Sequence, residues 1–250
     1  MRNLILCVSC ATAVMFLGGC ATVPYTNRHQ FNIVSEDEEG QMGLVAYADV
    51  KKKNKISRDP ETIAMVERVG KRIAAAADKP EYRWEFTVID DPKTVNAFCL
   101  PGGKIAVYTG ILPLTKDDTG LAVVLGHEVS HALAHHGAER MSDQSLMTLP
   151  LTVLSEGRSE EAQLLIQQAF GIGVALPFGR KQESEADHIG LILMAKAGYD
   201  PREALGFWER MASEMGGKAP PAFLSDHPSD AKRIEKIREE LPEALTYYKP

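Results

Sequence analysis

The sequence predicts an α+β domain, mainly helical, with one small antiparallel sheet. Three observations carry this prediction. Apolar residues recur at helical spacing through much of the chain, as at Ile63, Val66, Val69 and Ile73. One stretch, YRWEFTVID at residues 82–90, alternates instead around Trp84, Phe86 and Val88. Two extended runs, TVNAFCL (94–100) and KIAVYTGIL (104–112), flank Pro101-Gly102-Gly103 and read as a hairpin.

Taken in order, the chain opens with a targeting segment. It has one cation, Arg2, and then an apolar run over residues 4–17. That run is too short for a comfortable membrane span. It ends in Leu17-Gly18-Gly19-Cys20, which resembles a bacterial lipobox. This implies a signal segment over 1–19, lipidation at Cys20, a lipidated tether over 20–34 and a single domain over 35–250. Ala21, where a retained lipoprotein would carry Asp, implies a lipid-anchored protein of the bacterial outer membrane, facing the periplasm. Cys99 is then the one thiol of the mature chain, so no internal disulfide is expected.

Ser35-Glu36-Asp37-Glu38 has the pattern of a capping box opening a helix to about residue 53. The KKKNK at 51–55 suits the negative end of that helix. Asp59-Pro60 supplies an N-cap and an N1 proline for a second helix, to about residue 77. After the sheet the chain is mostly helical: residues 159–176 and 183–199 are amphipathic, Asp200-Pro201 starts a helix to about 214, and 230–240 is a last charged helix. Residues 216–223 read as a loop, and 138–160 as a flap beside the active site. A net charge of −6 with no basic stripe argues against nucleic-acid binding.

Residues 120–142, GLAVVLGHEVSHALAHHGAERMS, hold four of the seven histidines. His127 and His131 lie four apart, on one helical face, so both rings can reach one ion. Glu128 between them is placed to act as a general base. The apolar LAVVL ahead of them predicts a buried helix, and buried histidines without partners cost about 2 kcal/mol or more each. A metal supplies those partners. His135 cannot join them, because three ligands on one straight helix would spread over about 12 Å. His135 and His136 read as structural or supporting residues. The missing ligand must come from another helix, and RKQESEADHIG offers Glu183, Glu185 and Asp187. Glu183 and Asp187 share a face, so one carboxylate can bind metal while the next orients a ligand histidine. Glu185 lies about 200° from Glu183 and is expected to face solvent or a basic partner.

Four segments in this order, VNAFCLPGGKIAVYTGIL, LGHEVSHALAHHGAERMS, ESEADHIGL and HPSDAKRI, resemble the gluzincin-type zinc metallopeptidases that include HtpX and the CAAX prenyl proteases. The likeness is nearest to the small bacterial lipoprotein members, such as LoiP and the protease domain of BepA. It implies a zincin-like fold and one Zn2+ per chain on His127, His131 and Glu183, with Asp187 orienting a histidine. It implies Glu128 as general base toward a zinc-bound water, and places His227 and Arg233 at the site as stabilisers of developing oxyanion charge. The strand around Asn96, Ala97 and Phe98 would run beside the zinc and take an extended substrate by β-augmentation. By resemblance the activity is endopeptidase cleavage of unfolded or misfolded cell-envelope proteins. The expected partners are those substrates, the membrane through the N-terminal lipid, and envelope assembly machinery. A second expectation is an envelope assembly factor or chaperone-like binding protein with latent protease activity, kept off by His227 as a fourth zinc ligand.

Overall fold

A computed structural model of the chain describes residues 19–143, 159–172, 178–213, 222–228 and 231–249. Most of the flap expected over 138–160 lies outside these residues, as do residues 1–18.

The caps read from the sequence form. Ser35 and Glu38 close a capping box on α1 (Glu36–Lys53), and Lys51, Lys52 and Lys53 occupy its last turn. Asp59 accepts from the Glu61 and Thr62 N–H groups at the head of α2 (Pro60–Ala77). The sheet follows, as β3 (Glu85–Ile89), β4 (Ala97–Leu100) and β5 (Lys104–Tyr108), after an earlier hairpin of β1 (Gly19–Thr22) and β2 (His29–Asn32).

The sheet order is β3-β5-β4, with β4 antiparallel and β3 parallel to β5. It is therefore a mixed sheet, where an antiparallel one is expected. The hairpin around Pro101-Gly102-Gly103 forms as read, with Gly102 and Gly103 both at positive φ. Residues 90–96 instead carry the chain from β3 across to the far side, so that β5 inserts between β3 and β4. The sheet is buried on both faces. Ala97, Cys99, Ile105 and Val107 point into one core, and Phe98, Leu100 and Ala106 into another.

Beyond the sheet come a short 3-10 turn (Thr109–Ile111) and then α3 (Leu112–Thr115), α4 (Asp118–Leu133), α5 (His136–Asp143), α6 (Glu160–Ala169), α7 (Arg180–Lys196), α8 (Glu203–Ser213), α9 (Ala222–Asp226) and α10 (Ala231–Tyr247). α8 begins three residues after Asp200, and α10 runs on through Pro242 well past residue 240. The helix carrying HEVSH is α4, and every residue from Gly120 to Leu133 is buried.

α4 packs most extensively on α7, the helix that carries the downstream carboxylates. Two glycines set their separation. A Cβ on Gly126 would lie 2.9 Å from the Gly190 carbonyl oxygen, and one on Gly190 would lie 3.0 Å from the His127 nitrogen. With no side chain at either position the backbones touch directly.

The segment expected as a tether, 20–34, carries the β1-β2 hairpin and packs on the domain. Val23 is buried in the main core, and Arg28 pairs with Glu139 on α5 and Glu185 on α7. Cys20 sits in β1 opposite Phe31. Cys99 is free and buried.

Candidate metal centre

One turn of α4 separates His127 from His131, and their Nε2 atoms face each other 3.1 Å apart. α7 brings Glu183 to both: Oε2 lies 3.5 Å from His127 Nε2, and Oε1 lies 3.4 Å from His131 Nε2. The short link after α9 adds His227, whose Nδ1 is 3.1 Å from His127 Nε2 and 2.9 Å from Glu183 Oε1. One donor atom from each of these four buried residues falls within 4.8 Å of the others.

Glu128 points the same way, with Oε1 3.4 Å from His227 Nε2. Asp187 lies behind His127, its Oδ1 3.0 Å from Nδ1. Arg233 reaches in from α10. It forms a two-point fork on Asp187 at 2.7 and 2.8 Å, and its Nη1 stands 2.8 Å from Glu183 Oε2. That last contact is an ion pair whose N–H is not aimed at the oxygen, because Nη1 donates to the His227 and Pro228 carbonyls. Its guanidinium lies 3.5 Å over the Trp208 ring. Arg233 is thus engaged with both carboxylates.

The pKa shifts follow from burial and charge. Burial pulls the His127 imidazole down, but Asp187 and Glu183 outweigh it and raise it to about 9. Burial holds His131 well below the ordinary histidine range. Burial alone would raise Glu183, yet His227 and Arg233 hold it far below the usual carboxylate range. Glu128 is raised by burial.

These residues fit a divalent cation. The buried carboxylates of Glu183 and Asp187 share the guanidinium of Arg233, and Glu128 is buried beside them. Glu128 Oε1 and Glu183 Oε2 are buried without a hydrogen-bond partner. Three ring nitrogens converge on one point, with His127 Nε2 3.1 Å from both His131 Nε2 and His227 Nδ1. Two or three imidazoles with one carboxylate make a donor set suited to zinc.

The structure brings Glu128, His127, His131, Glu183, Asp187, His227 and Arg233 into one cluster. Asn96 precedes β4, and Ala97 and Phe98 lie in it; β4 is an edge strand of the sheet, as expected, but all three residues are buried. They are 3%, 1% and 3% exposed: Ala97 and Phe98 face the two cores, and the chain of α9 lies against Val95 and Asn96. Phe223 N–H donates to the Val95 carbonyl at 2.9 Å, and Asn96 Nδ2 donates to Asp226. The chain's own backbone thus pairs at Val95, just ahead of β4. Glu185 is buried, not solvent-facing, and its basic partners are Arg28 and His136. His135 Nδ1 donates to Glu39 Oε2 at 2.6 Å, away from the cluster.

Sequence reasoning missed Phe178, Trp208 and Phe223, which wall the histidine rings. Trp208 reads as ordinary core of an amphipathic helix, Phe223 falls in a stretch read as a loop, and Phe178 lies between two segments read as helical. It also missed Arg28, for which a segment read as a tether offers no signal.

The sequence model of Peptidase family M48 matches residues 60–241. The chain is 44% identical over 227 residues to the "Mitochondrial metalloendopeptidase OMA1" of Schizosaccharomyces pombe, covering 89% of this chain and 66% of that protein. It is 32% identical over 234 residues to the "Metalloendopeptidase OMA1, mitochondrial" of Homo sapiens, covering 87% of this chain and 44% of that protein. It is also 28% identical over 195 residues to the "Putative beta-barrel assembly-enhancing protease" of Vibrio cholerae, covering 74% of this chain and 40% of that protein. The chain therefore spans about two-fifths to two-thirds of the length of these three relatives. The similarity to mitochondrial proteins of yeast and human overturns the placement at a bacterial outer membrane facing the periplasm. No helix among the described residues is long and apolar enough to cross a membrane. The match over residues 60–241 and the histidine–carboxylate cluster agree: the chain belongs to Peptidase family M48.

Proposed function

We propose that the chain is a zinc-dependent endopeptidase acting on unfolded or flexible polypeptide. The observation that carries this reading is the convergence of His127, His131 and Glu183 on one buried point, beside a Glu128 oxygen without a hydrogen-bond partner. Bound there, zinc supplies Lewis acidity toward a peptide carbonyl and toward water.

The chain's own residues supply the rest. Glu128, with its carboxyl raised by burial, is a stronger base than an exposed carboxylate; it takes a proton from the attacking water and delivers it to the leaving amine. Asp187 accepts from His127 Nδ1–H, which leaves Nε2 free to ligate. Arg233 holds Asp187 and Glu183 ionised at their stations. His227 is the donor closest to Glu128 and serves the developing oxyanion.

The test compares the purified zinc-loaded chain with its Glu128→Gln variant on an unfolded reporter protein. Cleavage by the native chain and none by the variant is the expected result. Equal cleavage by both would refute the assignment.

A second reading has its own observation. His227 stands within the ligand set, and the segment before it pairs with Val95, just ahead of β4. This describes a latched resting state of a binding protein with latent protease activity. His227→Ala separates the two: proteolysis rises if His227 is a latch and falls if it assists catalysis.

A further inference from the structure

We infer that Arg28, in the hairpin ahead of the family match, is a positioning residue for the metal ligand His131, acting through Glu185 and His136. The inference rests on the zinc reading above and extends it to a part of the chain outside residues 60–241.

The contacts form an unbroken line. Arg28 Nε donates to Glu185 Oε2 at 2.8 Å, and its outer nitrogens fork onto Glu139 of α5. Thr26 Oγ1 donates to Glu185 Oε1 at 2.5 Å. Glu185 Oε2 also lies 3.1 Å from His136 Nε2, and His136 Nδ1 lies 2.9 Å from His131 Nδ1. His136 is fully buried, His131 and Glu185 are nearly so, and Glu139 is partly exposed.

Proton placement along this line has one solution once His131 ligates through Nε2, the atom that faces His127 and Glu183. A ligating Nε2 must keep its lone pair, so the proton of His131 sits on Nδ1. His136 Nδ1 must then accept it, which puts the His136 proton on Nε2. Glu185 Oε2 is the acceptor for that proton, and it accepts from Arg28 Nε as well. Arg28 and Thr26 fix both Glu185 oxygens in place and balance its charge. The two histidine ligands are thus oriented by different devices: His127 by Asp187 directly, and His131 by a carboxylate one imidazole further away. The charge that anchors the longer line comes from a hairpin more than a hundred residues away in sequence.

The experiment is zinc affinity of the full chain, measured by competition with a chromogenic chelator, with the melting curve of the metal-free protein recorded alongside. His136→Phe, which leaves His131 Nδ1–H without an acceptor, is expected to weaken zinc binding about 10–100-fold. His136→Asn, whose carboxamide oxygen can stand where Nδ1 stood, should recover part of that loss. Arg28→Met should weaken binding by about tenfold in the native background and by nothing further in the His136→Phe background. Should Arg28→Met fail to fold, Arg28→Lys keeps the charge but loses the fork, and the same non-additivity is expected. An unchanged zinc Kd in Arg28→Met, or equal losses in both backgrounds, overturns the inference while leaving the metal centre standing. A native chain that takes up no zinc overturns both.

Discussion

Gly126→Ala tests how the fold sets the metal site. The added methyl carbon would lie 2.9 Å from the Gly190 carbonyl oxygen, where ordinary contact begins near 3.4 Å. α4 and α7 must therefore separate locally by about 0.5 Å, since both partners are backbone. Overpacking of this kind costs about 1–3 kcal/mol, and replacing a mid-helix glycine by alanine returns about 1 kcal/mol. The net change in stability of the metal-free chain is then only about 0–2 kcal/mol. Metal binding is less tolerant, because ligand distances hold to within about 0.2 Å. A shift of about 0.5 Å between the helix bearing His127 and the helix bearing Glu183 exceeds that. Zinc affinity should drop at least about tenfold, or about 1.4 kcal/mol, with little change in the melting of the metal-free form. Chelator competition and calorimetry on Gly126→Ala measure the two quantities separately. Gly40→Ala in α1, where the new carbon meets nothing within 4 Å, is the matched control and should stabilise the chain without touching zinc affinity. A native-like zinc Kd in Gly126→Ala would refute the argument that backbone contact sets the spacing.

Other outcomes follow from the buried charges. Arg233→Met strands Glu183 and Asp187 without their cation, and should cost about 3–5 kcal/mol in urea unfolding of the metal-free chain; a loss under 1 kcal/mol would show that the guanidinium is dispensable. Burial opposes ionisation of Glu185, but hydrogen bonds from His136, Arg28 and Thr26 outweigh it and lower its pKa to about 2. A lowered folded pKa means stability that is complete above the ordinary value and is lost as pH falls toward about 2. After allowance for screening this amounts to about 1–2 kcal/mol. Glu185→Gln should flatten that acid limb, and an unaltered limb would contradict the assignment. His135 runs the other way: burial opposes its charge, but Glu39 outweighs burial and raises its pKa. Its contribution is complete below the ordinary histidine value and disappears as pH rises through the raised one. His135→Asn, which tolerates the positive φ at this position, should thus destabilise the chain at pH 6 more than at pH 9. Equal losses at both would point to packing alone.

What the sequence could show depended on whether the information was local. The capping box at Ser35, the Asp59-Pro60 start and the Pro-Gly-Gly hairpin are fixed by neighbouring residues, and each stands where the pattern places it. The pairing of β3 with β5 is not local, and nothing in YRWEFTVID distinguishes a parallel neighbour from an antiparallel one. At the site, the four-residue spacings of His127 with His131 and of Glu183 with Asp187 put each pair on one face of a helix. Which faces meet is decided by Gly126 and Gly190, whose role emerges only once the helices are packed. Glu185 shows the limit of helical-wheel reasoning. Its angle from Glu183 is as calculated, but α7 is enclosed on that side too, by α5 and the N-terminal hairpin. The pairing of Val95 with Phe223 and of Asn96 with Asp226 depends on contacts across more than 120 positions.

The indole beneath Arg233 has a practical consequence. The chain has two tryptophans. Trp84 sits on the sheet side against Tyr82, while Trp208 is 1% exposed, stacked under the guanidinium and edge-on to His127 at 5.8 Å between ring centres. An indole's emission responds to the electric field across its ring, and here the nearest charges are those that a divalent ion would rearrange. With Trp84 replaced by Phe, the protein becomes its own optical gauge of occupancy, readable in real time without a substrate, a label or any turnover.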